Sequence, residues 1–296
     1  MQVKPEKTPK ITQAMIDAYD EYTHLTLDRR AFMNRLTMLA GSGAAAAVIA
    51  PMLAARSAHA AMIAEDDERL TAEDITYPGD GGDMMGYLVR PAGGSDKLPA
   101  VIVIHENRGL NPHIRDVARR MALEGFVALA PDFLSPDGGT PDDEDKAREM
   151  IGALDAGSTV GNGIATEAFL AGHDASNGNV GAVGFCWGGG LVNQLAVNAE
   201  GLDAAVAYYG RQADAADVPK INAPLLLHYA GLDERINAGI EAYRAALESA
   251  GKTFTIEVYE GVNHAFNNDT SEARYDKEAA DLAWQRTVDF LKANLA

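Results

Sequence analysis

The sequence has 296 residues, of which 47% are hydrophobic, and a formal net charge of −18 at pH 7. A chain this acidic repels nucleic-acid phosphates and anionic membrane surfaces, so we expect neither as a partner. Its one cysteine, Cys186, excludes an internal disulfide and a cysteine-rich zinc site. The histidines include no pair at helical spacing around a glutamate, so we expect no metal and no other cofactor.

The first sixty residues differ in character from the rest. The pair Arg29 and Arg30 precedes residues 36–55, which carry no charge and are rich in alanine and glycine. An Ala-His-Ala sequence follows at residues 58–60. This order resembles a twin-arginine export signal with a small-residue cleavage site, and it predicts a periplasmic protein.

We therefore expect residues 1–60 to be a leader and residues 61–296 to be one folded domain. Two other interpretations stay open, namely a cytoplasmic protein that retains this segment as an N-terminal helix, and a membrane anchor. An uncharged run of about 20 residues is long enough to cross a bilayer. The alanine and glycine content of residues 36–55 makes a weak span, so we expect no stable membrane association.

From residue 74 onward, predicted strands alternate with predicted helices. Residues 75–77 and 85–89 flank a Gly/Asp turn and predict a hairpin, and the continuous apolar run at 100–104 predicts a strand buried on both faces. Further strands are expected at residues 126–130, 180–185, 204–209, 225–229 and 254–259, with helices near 114–121, 191–199, 238–250 and 275–291. This alternation predicts an α/β fold with a mostly parallel central sheet and helices on both faces.

The strongest chemical signal is Gly184-Phe185-Cys186-Trp187-Gly188, at the junction of a predicted strand and a predicted helix. It matches the nucleophile elbow G-x-S-x-G with cysteine in place of serine. Glycines two residues to either side permit a tight turn that lifts the nucleophile above the sheet edge. A lone cysteine is more often a small buried apolar residue, but this context favours a nucleophile.

An elbow of this type needs an acid and then a histidine further along the chain. Asp233 follows the predicted strand at 225–229, and His264 follows the one at 254–259. Both therefore lie at the carboxyl ends of strands, where open α/β sheets place their sites. His264 would accept the thiol proton, and Asp233 would fix the imidazole tautomer. Each alone is typical of a loop residue, but in this order they predict a triad with Cys186.

The segment at residues 105–109 follows the central strand, where the second donor of an oxyanion hole arises in such sites. We expect the backbone N–H groups of Trp187 and Asn107 to be the two donors. They would stabilise the negative oxygen that develops when a carbonyl is attacked.

The cysteine elbow, Glu106 after the central strand, and the segments around Asp233 and His264 together resemble the dienelactone hydrolase family of α/β-hydrolases. The resemblance extends from about residue 75 to the C-terminus. It implies an α/β-hydrolase fold and a monomeric enzyme that opens an enol lactone without a metal or organic cofactor. It also implies that Glu106 contacts the resting cysteine and helps to deprotonate it when substrate binds.

The same resemblance implies that two arginines bind the carboxylate of the substrate. One of them matches Arg148. The position of the other, four residues after the histidine, is Asn268 in this sequence. Arg274 or Arg211 would have to take its place.

Three functions compete on this basis. The residues favour a cysteine-dependent hydrolase that cleaves a small-molecule ester or lactone through a Cys-His-Asp triad and an acyl-enzyme. A non-catalytic exported binding protein that keeps the fold is the main alternative, and an assay with aryl esters separates the two. A thiol-redox or peroxide-reacting protein would need an external thiol, because the sequence has no second cysteine.

Overall fold

The computed structural model of the chain describes residues 10–24, 27–54, 61–94 and 96–296. Its strands are β1 (Leu70–Pro78), β2 (Asp83–Pro91), β3 (Leu98–Ile104), β4 (Val127–Asp132), β5 (Ser176–Phe185), β6 (Leu202–Tyr208), β7 (Leu225–Ala230) and β8 (Phe254–Tyr259). Within the described residues, the eight strands form one sheet in the order β1-β2-β4-β3-β5-β6-β7-β8. β1 and β2 form the antiparallel hairpin, β2 is antiparallel to β4, and the other neighbours are parallel. The prediction of a mostly parallel sheet is confirmed.

Helices lie before the sheet in sequence, between its strands and after its last strand. They are α1 (Gln13–Thr23), α2 (Arg29–Ala40), α3 (Gly43–Leu53), α4 (Pro112–Leu123), α5 (Glu144–Ala153), α6 (Ala156–Ala171), α7 (Trp187–Asn198), α8 (Glu234–Asn237), α9 (Ile240–Ser249) and α10 (Lys277–Leu295). β3 illustrates how they cover the sheet, because successive strand side chains point to opposite faces. Ile102 belongs to one buried cluster with Leu195 of α7, whereas Val103 belongs to another with Val117 of α4 and Leu291 of α10. Both faces of the sheet are therefore buried under helices.

The uncharged run at residues 36–55 is not one continuous helix. Gly41 has a φ of 79° and ends α2, and the side chain of Ser42 caps α3 by accepting a hydrogen bond from the Ala45 N–H. The two helices are bent by 113° relative to each other. In the described part of the chain no single helix is long and apolar enough to cross a membrane. Taken together, α2 and α3 have the length and composition of a membrane span, but they are sharply bent.

Helices α1 to α3 bury a small core of their own. Its members are buried apolar side chains from all three helices, namely Met15, Ala18, Tyr19, Phe32, Leu36, Ala46, Ile49 and Leu53. Ala273, close to the start of α10, packs against the same cluster. The N-terminal helices are thus docked on the sheet domain. The expected cleavage sequence at residues 58–60 lies outside the described residues, and export stays a prediction.

Candidate active site

Cys186 occupies a strained turn between β5 and α7. Its φ of 55° and ψ of −113° are rarely adopted by a residue with a side chain. The turn requires glycine two residues before and two residues after Cys186, because a Cβ at Gly184 would lie 2.2 Å from the Gly188 carbonyl oxygen. A Cβ at Gly188 would lie 2.4 Å from the carbonyl oxygen of His105. The local geometry is the tight elbow that the glycine spacing predicts, with the sulfur at the sheet edge.

Asp233 and His264 meet at that edge from the ends of two neighbouring strands. Asp233 follows β7 and caps α8 by accepting a hydrogen bond from the Ile236 N–H at 3.1 Å. Its other carboxylate oxygen lies 2.5 Å from His264 Nδ1. Because both side chains are buried, this contact fixes the ring so that Nε2 is the nitrogen left for chemistry. Among the described residues, none forms a hydrogen bond with His264 Nε2.

A second histidine, which sequence reasoning missed, contacts the nucleophile. His24, directly after α1, places Nε2 at 3.3 Å from the Cys186 sulfur. Its Nδ1 lies 2.8 Å from the backbone oxygen of Asp20 and 3.3 Å from a carboxylate oxygen of the same residue. The ring also packs edge-on against His264, with centroids 4.8 Å apart. The only sequence signal was the unusually long polar stretch ahead of the paired arginines.

The charges around the sulfur favour the thiolate. Burial alone would raise the pKa of the Cys186 thiol, but the positive charges of His24 and His264 outweigh it and lower that pKa to about 6. Burial alone would lower the pKa of His24, but the Cys186 thiolate and the Asp20 side chain outweigh this effect and raise the pKa of His24 to about 9. The pKa of His264 lies well above its ordinary value, because the carboxylates of Asp20 and Asp233 outweigh burial. Between about pH 6 and pH 9, an imidazolium–thiolate pair is expected.

The same cluster could hold a metal ion. The donor atoms of His24, Cys186 and His264 all lie within 4.8 Å of one another. Thiolate and imidazole are ligands that Zn²⁺ prefers. No spacing pattern in the sequence predicts this set, because its members come from three segments far apart in the chain.

The two residues expected to supply the oxyanion donors line the same cavity as the sulfur. Trp187 begins α7 and Asn107 lies in the loop after β3, and both line one cavity with Cys186. The ring of Trp187 stacks on His105, with centroids 5.2 Å apart and planes inclined by 9°. The Asn107 side chain donates a hydrogen bond to the Thr23 carbonyl at 2.6 Å. The loop that carries this second donor is therefore held in place by the end of α1.

Glu106 is buried beside the site without hydrogen bonding to the sulfur. Its carboxylate accepts a hydrogen bond from the Asn268 side chain at 2.7 Å. A small cavity of about 10 Å³, lined by Glu106, Cys186 and both active-site histidines, lies next to it. That space is about the size of one water. The family resemblance led us to expect Glu106 at the resting sulfur, whereas here His24 fills that place because α1 covers the elbow.

A cavity of about 1030 Å³ opens onto Cys186. Its apolar wall is formed by side chains of α5, α6 and α7, namely Ile151, Leu154, Val160, Ile164 and Leu191. The volume is at the upper end of the range for small-molecule sites, about 300–1,000 Å³. The nucleophile is therefore accessible to a substrate of moderate size even with α1 in place.

Comparison with known proteins decides the family. The model of the dienelactone hydrolase family matches residues 84–295 of the chain. The chain belongs to the dienelactone hydrolase family. It is accordingly a hydrolase that acts on ester or lactone bonds. Helices α1 to α3, including His24, lie outside the residues that match the family.

Individual relatives agree with this assignment. A Salmonella typhi protein provisionally named as a carboxymethylenebutenolidase is 34% identical over 244 residues, covering 77% of this chain and 90% of its own length. A protein of the same provisional name from Saccharolobus solfataricus is 34% identical over 256 residues, covering 74% and 98%. The crystal structure of a provisionally identified dienelactone hydrolase from Klebsiella pneumoniae subsp. pneumoniae superposes with a TM-score of 0.69 at 31% identity, covering 75% and 98%. The α/β-hydrolase fold predicted from the sequence is confirmed.

Two of the arginines considered for substrate binding face the large cavity of this hydrolase. Arg148 of α5 is buried, bonds to Asp145 and lies 4.3 Å above the ring of Tyr22. Among the described residues, its Nε has no hydrogen-bond partner. Arg211 lines the same cavity. Both are therefore placed to meet the polar end of a substrate.

Arg274 lies on the other side of the sulfur. It lines the small cavity beside Glu106. Its Nε donates a hydrogen bond to Ser271 Oγ at 3.0 Å, and its guanidinium lies 5.1 Å from the ring centre of Tyr19. A substrate in the large cavity would meet Arg148 and Arg211 first, so Arg274 is the weaker candidate for a substrate contact.

Three other histidines of the hydrolase have structural partners. His228 lies between Tyr259 and Thr287, and burial lowers its pKa to about 3. His105 accepts a hydrogen bond from the Phe133 N–H, and His113 lies 3.0 Å from Asp269. We assign none of these histidines to catalysis.

Proposed function

We propose that the protein is a cysteine-dependent hydrolase that cleaves a small-molecule ester or lactone through an acyl-enzyme on Cys186. The observation that carries this proposal is the meeting of the elbow cysteine with the buried Asp233–His264 pair at the mouth of one cavity. Family membership supports the same reaction class.

In the first half-reaction, the Cys186 sulfur attacks the carbonyl carbon and a C–S bond forms. The carbonyl electron pair moves to oxygen, where the N–H groups of Trp187 and Asn107 stabilise the charge. The C–O bond to the leaving oxygen then breaks. His264 Nε2 donates a proton to that oxygen, and in a lactone the freed hydroxyl or enol stays on the same molecule.

In the second half-reaction, water attacks the thioester carbon. His264, now neutral, accepts a proton from this water through Nε2. The C–S bond breaks and the sulfur leaves as the thiolate, and a carboxylic acid is released. Asp233 holds the ring in one orientation through both steps by its contact with Nδ1.

The lining of the large cavity indicates the substrate class. Its apolar wall suits a small unsaturated or aromatic body, and Arg148 and Arg211 suit a carboxylate. The relatives provisionally named as carboxymethylenebutenolidases agree with such a substrate. We propose a lactone or ester that carries a carboxylate.

Hydrolysis of a panel of lactones and aryl esters, with and without a carboxylate, tests this proposal. The wild type should hydrolyse several members of the panel, and Cys186→Ala should hydrolyse none above background. Arg148→Gln should raise KM for the carboxylated members and leave KM for the neutral members nearly unchanged. Absence of hydrolysis across the panel, or full activity in Cys186→Ala, would overturn the proposal.

A further inference from the structure

Two carboxylate–histidine pairs converge on one sulfur. Asp233 and His264 approach from the sheet, and Asp20 and His24 approach from α1. In both pairs the carboxylate lies at Nδ1, so Nε2 is turned toward Cys186. The triad on the sheet accounts for only one of these pairs.

The position of His24 is fixed by several contacts along α1. The Thr23 carbonyl accepts a hydrogen bond from Asn107 at 2.6 Å, and the Tyr22 hydroxyl donates one to Asp145 at 2.7 Å. Arg108 bonds to the Tyr19 hydroxyl. These partners lie in the loop after β3 and in α5, which also border the catalytic cavity. His24 is therefore held against the sulfur by the walls of the active site itself.

The two imidazoles stand in different relations to the sulfur. His24 Nε2 is at hydrogen-bond distance from it. His264 Nε2 is buried and, among the described residues, has no hydrogen-bond partner. His24 is thus at hydrogen-bond distance from Cys186, while His264 lies close to the same sulfur with its Nε2 available to a leaving oxygen or a water.

We propose that His24 is a second catalytic histidine, whose Nε2 holds the Cys186 sulfur in a hydrogen bond and favours its thiolate form, while His264 carries the protons of both half-reactions. This inference rests on the proposed function. It assigns the chemistry of the site to residues from two parts of the chain, one of which lies outside the match to the family.

The protons balance in this scheme. At rest the thiol proton is on His24, and His264 is also protonated. Sulfur attack needs no proton transfer, and His264 gives its proton to the leaving oxygen. His264 then takes a proton from the attacking water, and cleavage of the C–S bond restores the thiolate beside His24. The resting state returns without a net gain or loss of protons at the enzyme.

Charged groups from every neighbouring element face this pair. The N-terminal segment and the elbow supply the charged or titratable side chains of Asp20, His24 and Cys186. The other elements around the pair supply those of Glu106, Arg108, Asp233, Arg235, His264 and Arg274. Arg235 lies 3.8 Å from Asp20, which keeps its carboxylate near His24. Burial raises the pKa of Asp20, but the positive charges of His264 and His24 outweigh it and leave Asp20 ionised. The carboxylate next to each imidazole stabilises the positive charge on that ring, so the two adjacent rings can be protonated at the same time.

The proposal requires that the active enzyme retain residues 10–24. It therefore favours a leader that stays attached over one that is removed after residue 60. The intact mass of the active enzyme from its native host tests this directly. An active species that begins after residue 60 would overturn the role of His24.

The decisive experiment measures the alkylation rate of the full chain by iodoacetamide as a function of pH, with and without a chelator. The wild-type rate should rise with a midpoint below the ordinary cysteine pKa, because His24 Nε2 lies at hydrogen-bond distance from the sulfur. In His24→Asn the midpoint should move up, and well below the wild-type midpoint the rate should fall about tenfold for each unit of increase. The remote control His173→Asn should match the wild type. Equal midpoints in His24→Asn and the wild type would overturn the proposal, as would a wild-type sulfur that reacts only after chelation.

Transient kinetics separate this role from a structural one. His24→Asn should slow acylation and leave deacylation nearly unchanged, whereas His264→Asn should slow both steps, and with an aryl ester it should slow deacylation more, because a phenolate leaves without a proton. If His24→Asn fails to fold, Asp20→Asn gives a second test, because loss of the carboxylate behind His24 should raise the midpoint in the same direction. An unchanged midpoint in Asp20→Asn would count against the proposal. Activity in Cys186→Ala would defeat the proposed function instead, so the two failures are distinguishable.

Discussion

His24 Nε2 lies 3.3 Å from the Cys186 sulfur, although the two residues are 162 positions apart in the chain. The nucleophile belongs to a strand–helix junction of the family fold, and the histidine follows a helix that precedes the match to the family. The site is therefore assembled from the sheet domain and the N-terminal helices together. A substitution in α1 is expected to alter the chemistry of a residue in the elbow.

The elbow should tolerate no side chain at Gly188. Gly188→Ala places a Cβ 2.4 Å from the His105 carbonyl oxygen, so the turn must shift and carry the sulfur with it. We expect kcat/KM to fall about a hundredfold and the free energy of unfolding to fall by about 1–3 kcal/mol. Gly190→Ala is the matched control, since its Cβ would meet atoms only at 3.6 Å or beyond. Equal effects of the two variants, by kinetics and thermal unfolding, would contradict this account of the elbow.

His264 and Asp233 should act as one unit. His264→Ala removes the proton carrier, and we expect a loss in kcat on the order of a thousandfold or more. Asp233→Asn should cost as much or less, because it disturbs only the orientation and charge of that ring. The double variant should be little worse than His264→Ala. Losses that simply multiply in steady-state kinetics would argue against a shared triad.

Local sequence patterns predicted the sheet and the positions of Cys186, Asp233 and His264 at its edge, because each pattern acts at short range. Apolar runs gave the strands, and the glycine spacing gave the tight turn at Cys186. Asp233 and His264 could be found because residues after parallel strands gather at one edge of the sheet. The helix expected at residues 238–250 is α9, and the short helix α8 that precedes it was not predicted.

The contacts of His24 and Glu106 could not be predicted in the same way. His24 reaches the sulfur through the packing of α1 on the sheet domain, and no periodicity in the chain encodes that docking. Likewise, Glu106 pairs with Asn268, 162 positions away, where the family resemblance predicted an arginine. Both contacts depend on how distant segments pack, which a single sequence does not reveal.

Glu106 should contribute to acylation through its place beside the sulfur. The Glu106→Gln variant keeps the shape of the side chain and its contact with Asn268 but removes a negative charge near Cys186. We expect a lower cysteine pKa, because the thiolate loses a repelling neighbour. We also expect a slower acylation rate, because a less basic thiolate is a weaker nucleophile. Stopped-flow acylation and ultraviolet titration of the thiolate measure the two effects. The control Glu149→Gln lies on the exposed face of α5 and should change neither.

A lower cysteine pKa with normal acylation in Glu106→Gln would mean that this carboxylate only limits the resting thiolate. That role would protect the sulfur from oxidation. If neither quantity changed, Glu106 would not belong to the site.

Export should depend on the arginine pair. Arg29 is exposed and forms an ion pair with Asp145 at 3.1 Å, so a lysine there preserves the charge at the surface. We predict that replacing Arg29 and Arg30 with lysine traps the protein in the cytoplasm, because the export machinery recognises the pair itself. Cell fractionation measures this outcome. A wild-type protein found in the cytoplasm, or an unchanged location of the variant, would refute export.

Covalent trapping of the acyl-enzyme tests the central claim most directly. An aryl ester is mixed with the wild-type chain, the reaction is quenched with acid within the first turnover, and the digested protein is examined by mass spectrometry. We predict one acyl group on the peptide that contains Cys186, more of it in His264→Asn, and none in Cys186→Ala. An acyl group on any other residue, or hydrolysis without an adduct on Cys186 in every variant, would contradict the proposed mechanism.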